Sequence, residues 1–367
     1  MKKILFVIPR LANAGTETHL LLLSKGLSER GFDVTICCLF EIGICDSVCK
    51  QFGFKIICLN KTSIYDLSIL HSLYVLIKNN KYDVVHAYLF GFHYLALLPA
   101  KIAGVCLTVS SRRELATWKK LHHHLLENFG NMFVDKVVTC SEAVSTYVLR
   151  TEILSKSKIL RIYNGIDLEK YSQRAKEKKG LCAFGLKETD LVIGNVANFS
   201  IEKNHEFLVE VIKEVKKHFP DIKCLLVGDG YLRRELEQQV DNLGLNKNVI
   251  FTGERNDVEH VLNLIDVFLF TSKTEGLPNA ILEAMACALP VVAVDAGGIS
   301  EVISSGKDGI VVNSFSVKYF SSNVIELLND SNIRKQMGKT ARQTIESKFS
   351  FNRMITDYEE FYKKATS

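Results

Sequence analysis

Short aliphatic runs alternate along this chain with longer stretches in which apolar positions recur every three or four residues. The runs read as strands buried on both faces, and the periodic stretches read as helices with one apolar side. The first half gives strand 3–8, helix 15–29, strands 33–39 and 54–59, helix 66–79, strand 83–87, helix 92–103 and strand 105–110. It continues with helix 119–130, strand 136–139, helix 142–150 and strand 158–162. The pattern restarts at Leu191-Val-Ile-Gly-Asn-Val196. There it gives helix 204–218, strand 222–227, helix 231–242, strand 248–251, helix 257–263, strand 266–270, helix 279–287, strands at 291–294 and 309–312, and helices from about 316 to the end. Repeated strand–helix units predict an α/β protein with parallel, doubly wound sheets that bind ligands at the carboxyl ends of their strands. Between the halves, Glu169–Thr189 contains the polar stretch Lys176-Glu-Lys-Lys-Gly180 without periodicity, and reads as a linker. The expected domains are 1–168 and 169–349, followed by an amphipathic segment at 350–367.

With 367 residues the chain exceeds one ordinary core, in keeping with two domains. The apolar start ends at Pro9, too short for a signal peptide, and no segment approaches the roughly 20 residues of a membrane span. Ten cysteines in that context predict free thiols in a reducing cytosol. Cys37, Cys38, Cys45 and Cys49 fit no zinc spacing and read as packing residues. His122-His123-His124 point in different directions on a helix and read as a solvated basic turn.

The net charge of +5 conceals an asymmetry. Residues 1–170 hold 21 basic against 14 acidic side chains, a balance of +7, and the remainder holds 25 against 27, or −2. Nothing resembling a nucleic-acid module accompanies the basic half, so nucleic acid is not an expected partner. A phosphorylated acceptor or an anionic membrane surface suits it better. The stretch Leu115–His124 reads in two ways. It is an interfacial helix carrying Trp118, Lys119 and Lys120, or a surface helix whose Trp118 packs inward or lines an acceptor site. The first reading predicts a cytoplasmic protein loosely attached to the inner membrane face.

Candidate chemistry concentrates in Glu275-Gly-Leu-Pro-Asn-Ala-Ile-Leu-Glu283. Pro278 suits the first turn of a helix, where its missing N–H costs nothing. Glu275 then sits in a loop at the helix mouth, and Glu283 lies about 7–8 Å further along the axis. The open amides between them suit an anion, and the pair suits a substrate with both phosphates and hydroxyls.

This block, with Asp266 and Thr-Ser before it and Glu283-Ala-Met-Ala, Pro290 and Gly297-Gly298 after it, resembles the E-x7-E motif of retaining GT-B glycosyltransferases, glycosyltransferase family 4. The resemblance implies two Rossmann-like domains facing across a cleft, with the terminal helix crossing back to the first. It also implies a nucleotide-sugar donor, most naturally a UDP-sugar, and a glycan or polyprenyl-diphosphate-linked acceptor in bacterial surface polysaccharide synthesis. Glu275 would orient the donor sugar and stabilise positive charge as the diphosphate departs. Glu283 would accept hydrogen bonds from the ribose hydroxyls. Gly276, Leu277, Pro278 and Asn279 would line the donor site. Lys203 occupies the family's lysine position on the diphosphate, whereas Asn198 stands where arginine is usual and brings no charge. Gly15, in Asn13-Ala-Gly15, and Gly228, in Val227-Gly228-Asp-Gly230, resemble donor-side glycine loops, although the second also reads as a plain turn. Arg255 falls near the base. On the acceptor side Arg112 stands where the family often has histidine; it would grip a phosphate or pair with Glu114. His86 is a second candidate there, or a packed strand-end histidine. No metal or other cofactor is implied, and the chain has no Asp-x-Asp to hold one. An isomerase or hydrolase of the same fold, or a non-catalytic nucleotide-sugar binder, is the alternative.

Overall fold

The computed structural model describes residues 1–11, 15–42, 54–89 and 91–366. The chain forms two compact units, Met1–Gly165 with Asn352–Ser367, and Ile166–Phe351.

The first unit is built on seven strands: β1 (Lys3–Arg10), β2 (Asp33–Glu41), β3 (Lys55–Cys58), β4 (Val84–Ala87), β5 (Leu107–Arg112), β6 (Lys136–Thr139) and β7 (Ile159–Arg161). Their order in the sheet is β3-β2-β1-β4-β5-β6-β7, every pairing parallel. Ile4, Leu5, Phe6, Val7 and Ile8 of the interior strand β1 are buried on both faces, each worth about 1.5–3 kcal/mol of burial. The last helix, Phe351–Ala365, belongs to this unit. Its Tyr358 and Tyr362 are fully buried, and the Tyr362 hydroxyl lies 2.6 Å from His86 Nδ1.

The second unit has six strands: β8 (Val192–Val196), β9 (Lys223–Val227), β10 (Val249–Gly253), β11 (Val267–Phe270), β12 (Val291–Val294) and β13 (Ile310–Val312). They are ordered β10-β9-β8-β11-β12-β13 and again all parallel. Crossovers leave β8 toward β9 and β11 toward β12, in opposite directions, so the gap between β8 and β11 is a topological switch point.

Two expectations of local structure need correction. The polar linker contains a helix, Lys178–Ala183, and docks on the second unit: Leu181 is buried, and Lys176 Nζ lies 2.9 Å from Asp266 Oδ2. One buried leucine in six residues leaves no period to read. The helix expected from residue 119 begins at Leu121, because Lys119 turns inward to Glu127 at 2.6 Å and residues 115–119 form turns. Cys37 and Cys38 are buried, Cys37 within the core, where burial pushes its thiol well above the ordinary range. Cys45 and Cys49 lie outside the described residues.

Candidate active site

Within the second unit, loops leaving β8 and β11 converge at the switch point. After β8 the chain makes a single turn, Ile201–Lys203, and Asn204 adopts a left-handed conformation that starts helix His205–Lys216. After β11 it runs through Thr271–Pro278 into helix Asn279–Ala286. The loops are tied together: the Thr271 hydroxyl donates to the Lys203 carbonyl at 3.0 Å, and the Lys273 amide donates to Glu202 O at 2.7 Å. Beneath them Asn195 donates to Leu269 O at 2.8 Å, and its Oδ1 faces His205 Nε2 at 3.0 Å. Burial lowers His205 to about 4, so the ring is neutral and its Nε2–H donates to Asn195.

This framework brings Lys203 Nζ to 2.6 Å from Glu275 Oε1, the two side chains largely shielded from solvent. The pair comes from residues 72 apart in sequence and from both sides of the switch point. Gly276, Leu277 and Pro278 are buried, and Asn279 is partly buried. Pro278 precedes the helix rather than sitting within it, with φ −76° and ψ 112°, and no side chain caps the helix start. The helix buries Ile281, Leu282, Ala284, Met285 and Ala286.

Glu283 lies further along this helix, partly buried. Burial raises its carboxyl to about 7, partly offset by a hydrogen bond from Tyr171 and by the charge of Lys170. Arg342 braces the arrangement, donating to the carbonyls of Tyr171 and Ala286 at 2.6 Å each. Neither Tyr171 nor Arg342 was legible as a site residue. Tyr171 sits in the stretch that reads as linker, and Arg342 lies 59 residues beyond Glu283 on helix Ser331–Lys348.

Gly228 has φ +133°, and a Cβ there would meet the Ala197 carbonyl oxygen at 2.1 Å; at Gly230 it would meet Phe199 O at 2.4 Å. Both glycines let the loop after β9 lie against the loop after β8. Asn198, on that second loop, is exposed. Arg255 follows β10 and is held by Asp257 through two bonds, at 2.7 and 2.6 Å, with its guanidinium 5.2 Å from the Phe184 ring. Gly15 heads helix Gly15–Glu29 of the first unit, but Asn13 and Ala14 before it lie outside the described residues.

Of the two acceptor-side candidates, Arg112 needs correction, and His86 follows its alternative reading as a packed histidine. Arg112 is buried and faces neither solvent nor Glu114. Its Nε and Nη2 donate to Glu152 at 2.9 and 3.0 Å, its Nη1 to Ser110 at 2.5 Å and to the Ser111 carbonyl at 3.4 Å, and its Nη2 to Asn131 at 3.2 Å, which uses all five N–H groups. Burial pushes the Glu152 carboxyl up, but Arg112 outweighs it and holds the group at about 2. With its donors spent inside the unit, Arg112 has none for a phosphate. His86 is fully buried, between Tyr362 and the Ser111 hydroxyl at 2.8 Å from Nε2, and burial lowers it to about 3. It is a packed strand histidine. Among the described residues no helix is long and apolar enough to cross a membrane.

Two doubly wound parallel units, one with a lysine–carboxylate pair at its switch point, have the GT-B fold of glycosyltransferases. A structure of Anabaena HepE in complex with UDP-glucose superimposes with a TM-score of 0.88 at 21% identity, covering 99% of this chain and all of that one. The chain belongs to glycosyltransferase family 4: the family described as Glycosyltransferase Family 4 matches residues 13–170, and Glycosyl transferases group 1 matches residues 182–344. Among curated relatives, Escherichia coli UDP-Gal:alpha-D-GlcNAc-diphosphoundecaprenol alpha-1,3-galactosyltransferase is 28% identical, over 92% of this chain and 90% of its own. Bacillus anthracis N-acetyl-alpha-D-glucosaminyl L-malate synthase is 26% identical, over 93% and 91%.

Proposed function

We propose that this glycosyltransferase works with retention of configuration and without a metal ion. It moves a sugar from a UDP-sugar to a glycan or polyprenyl-diphosphate-linked acceptor in bacterial surface polysaccharide synthesis. The observation that carries this reading is the meeting of Lys203 and Glu275 at 2.6 Å across the switch point. A diphosphate entering there offers Lys203 a stronger anionic partner than one carboxylate, and Glu275 is then released toward the donor sugar. The amides at the start of helix Asn279–Ala286 and the Asn198 side chain add hydrogen-bond donors without adding charge. Glu283, when ionised, accepts from the ribose hydroxyls.

In the reaction the acceptor hydroxyl attacks the anomeric carbon on the face from which the diphosphate leaves. The bond from that carbon to the phosphate oxygen breaks, and the hydroxyl proton passes to the departing phosphate. Glu275 stabilises the positive charge that develops on the sugar between the two events. The names of the Escherichia coli relative and of the UDP-glucose-bound HepE support a UDP-sugar as the donor class. The test is incubation with a panel of UDP-sugars and a polyprenyl-diphosphate-linked GlcNAc, with the anomeric configuration of the product read by NMR. An α-linked product from an α-linked donor is expected. An inverted product, an epimerised donor, free sugar alone or binding without turnover would each overturn the reading.

A further inference from the structure

Helix Leu121–Asn131 of the first unit is inside out. Leu121, Leu125 and Phe129 recur every four residues and therefore share one side, continued by Met132. That side faces outward: Leu121 is 76% exposed, Leu125 61% and Met132 72%. The opposite side buries Glu127, Gly130 and Asn131. Beneath it Arg112, Lys119, Glu127 and Glu152 form a buried cluster of balanced charge, with Lys119 Nζ 2.6 Å from Glu127 and Arg112 Nε 2.9 Å from Glu152. A helix packed for water alone puts its leucines inward and its charges outward. Here four charges are desolvated, a costly arrangement, and the apolar stripe is left at the surface.

The stripe is not a single stray residue. Trp118, 57% exposed, precedes it, with its ring 5.3 Å from that of His123. Phe129 continues through ring contacts to Tyr94 at 5.5 Å, Phe92 and the exposed Tyr65. The Ile153 amide donates to Asn128 Oδ1 at 2.7 Å, which sets the exposed Ile153 beside the helix. A contiguous apolar surface of this kind marks an interaction site. Basic side chains flank the helix itself. Lys120 is exposed at the head of the helix, and Arg150 and Lys156 are exposed three residues to either side of Ile153. From Leu115 to Phe133 the single acidic residue is Glu127, and it is buried.

We propose that this face docks on an anionic phospholipid bilayer, the leucines, Phe129, Met132 and Trp118 entering the interface while Lys120, Arg150 and Lys156 meet lipid phosphates. An apolar helix face flanked by exposed Lys120, Arg150 and Lys156, with acids such as Glu114 and Asp66 only at its margins, has the chemistry of such a surface. Lys119 takes no part, because its charge is consumed inside the unit. The proposal stands on this face alone and does not depend on the transferase reading.

Trp118 is the only tryptophan in the chain, so its fluorescence reports on this patch. The full chain is mixed with phosphatidylglycerol vesicles, and separately with phosphatidylcholine vesicles, at low and high salt. Emission and co-sedimentation are read together. A blue shift and co-sedimentation with phosphatidylglycerol, both weakened by salt, are expected. Leu121→Gln with Leu125→Gln, at exposed positions where a polar side chain suits water, weakens vesicle binding at least about tenfold and leaves UDP-glucose binding unchanged. Unshifted emission with phosphatidylglycerol vesicles overturns the proposal, as does a double variant that binds vesicles like the parent. A parent that self-associates without binding vesicles, and a double variant that is monomeric, would assign the face to a second copy instead.

Discussion

The most discriminating experiment on the donor side concerns the proton on Glu283. Burial raises that carboxyl from the ordinary 4.5 to about 7 in the ligand-free protein. At 1.36 kcal/mol per pH unit the difference corresponds to about 3 kcal/mol. The sign is that of a carboxyl protonated more readily when folded. Its contribution is fully present below about 4.5, declines as pH rises toward 7, and is absent above. The ionised form is the stronger acceptor for a ribose hydroxyl, so donor binding has the opposite slope. With a group near 7, about one-tenth of molecules are ionised at pH 6 and about nine-tenths at pH 8, which predicts roughly tenfold tighter binding at pH 8. UDP-glucose is the probe of choice, because UDP itself carries a terminal phosphate that titrates near pH 6. Calorimetry across this range, in buffers of differing ionisation enthalpy, should show release of about half a proton per donor bound at pH 7. Glu283→Gln keeps the shape and removes the titration, so its affinity should be weaker at pH 8 and independent of pH. Unchanged pH dependence in Glu283→Gln, or tighter binding by the parent at pH 6, would refute the assignment.

Glu275→Ala should lower kcat at least about a hundredfold while UDP-glucose affinity changes little, since the carboxylate matters most as charge develops; turnover equal to the parent's removes it from the reaction. Lys203→Ala should instead weaken donor binding, a difference seen directly by calorimetry. Arg112→Met leaves Glu152 and Glu127 short of a buried cation and should destabilise the first unit by about 3–5 kcal/mol, read as a lower denaturant midpoint. Activity should survive dialysis against a chelator, measured as the initial transfer rate before and after.

The strands were the most legible feature of the chain, because a short unbroken aliphatic run between two helices suits a strand buried on both faces of a parallel sheet. β6 and β12 fall on the expected residues, and most of the other elements begin or end within two residues. Lys203 and Glu275 were legible because the chemistry of each loop is written in its own sequence. Their contact was not, since it depends on which strands become neighbours. Arg112 and His86 show the converse. Each lies at a strand end where ligands gather, but each side chain is claimed by a partner far along the chain, Glu152 at 40 residues and Tyr362 at 276. Helix Leu121–Asn131 shows a further limit. A repeat of every four residues identifies the apolar side of a helix, but not whether that side faces the core.

The contact between Tyr362 and His86 also sets an order of events on the ribosome. The seven-stranded sheet is made before the second unit, yet its covering helix is made after it. The stretch 166–351 is continuous and complete in itself, with both ends side by side: the Ile166 amide bonds to Phe349 O, and the Phe351 amide to Ile166 O, each at 2.9 Å. At roughly 5–20 residues per second, its synthesis takes about 10–40 s, during which the pocket that receives Tyr358 and Tyr362 stands open. The second unit begins later but can finish folding earlier, and the first unit closes only once residues 352–366 have followed.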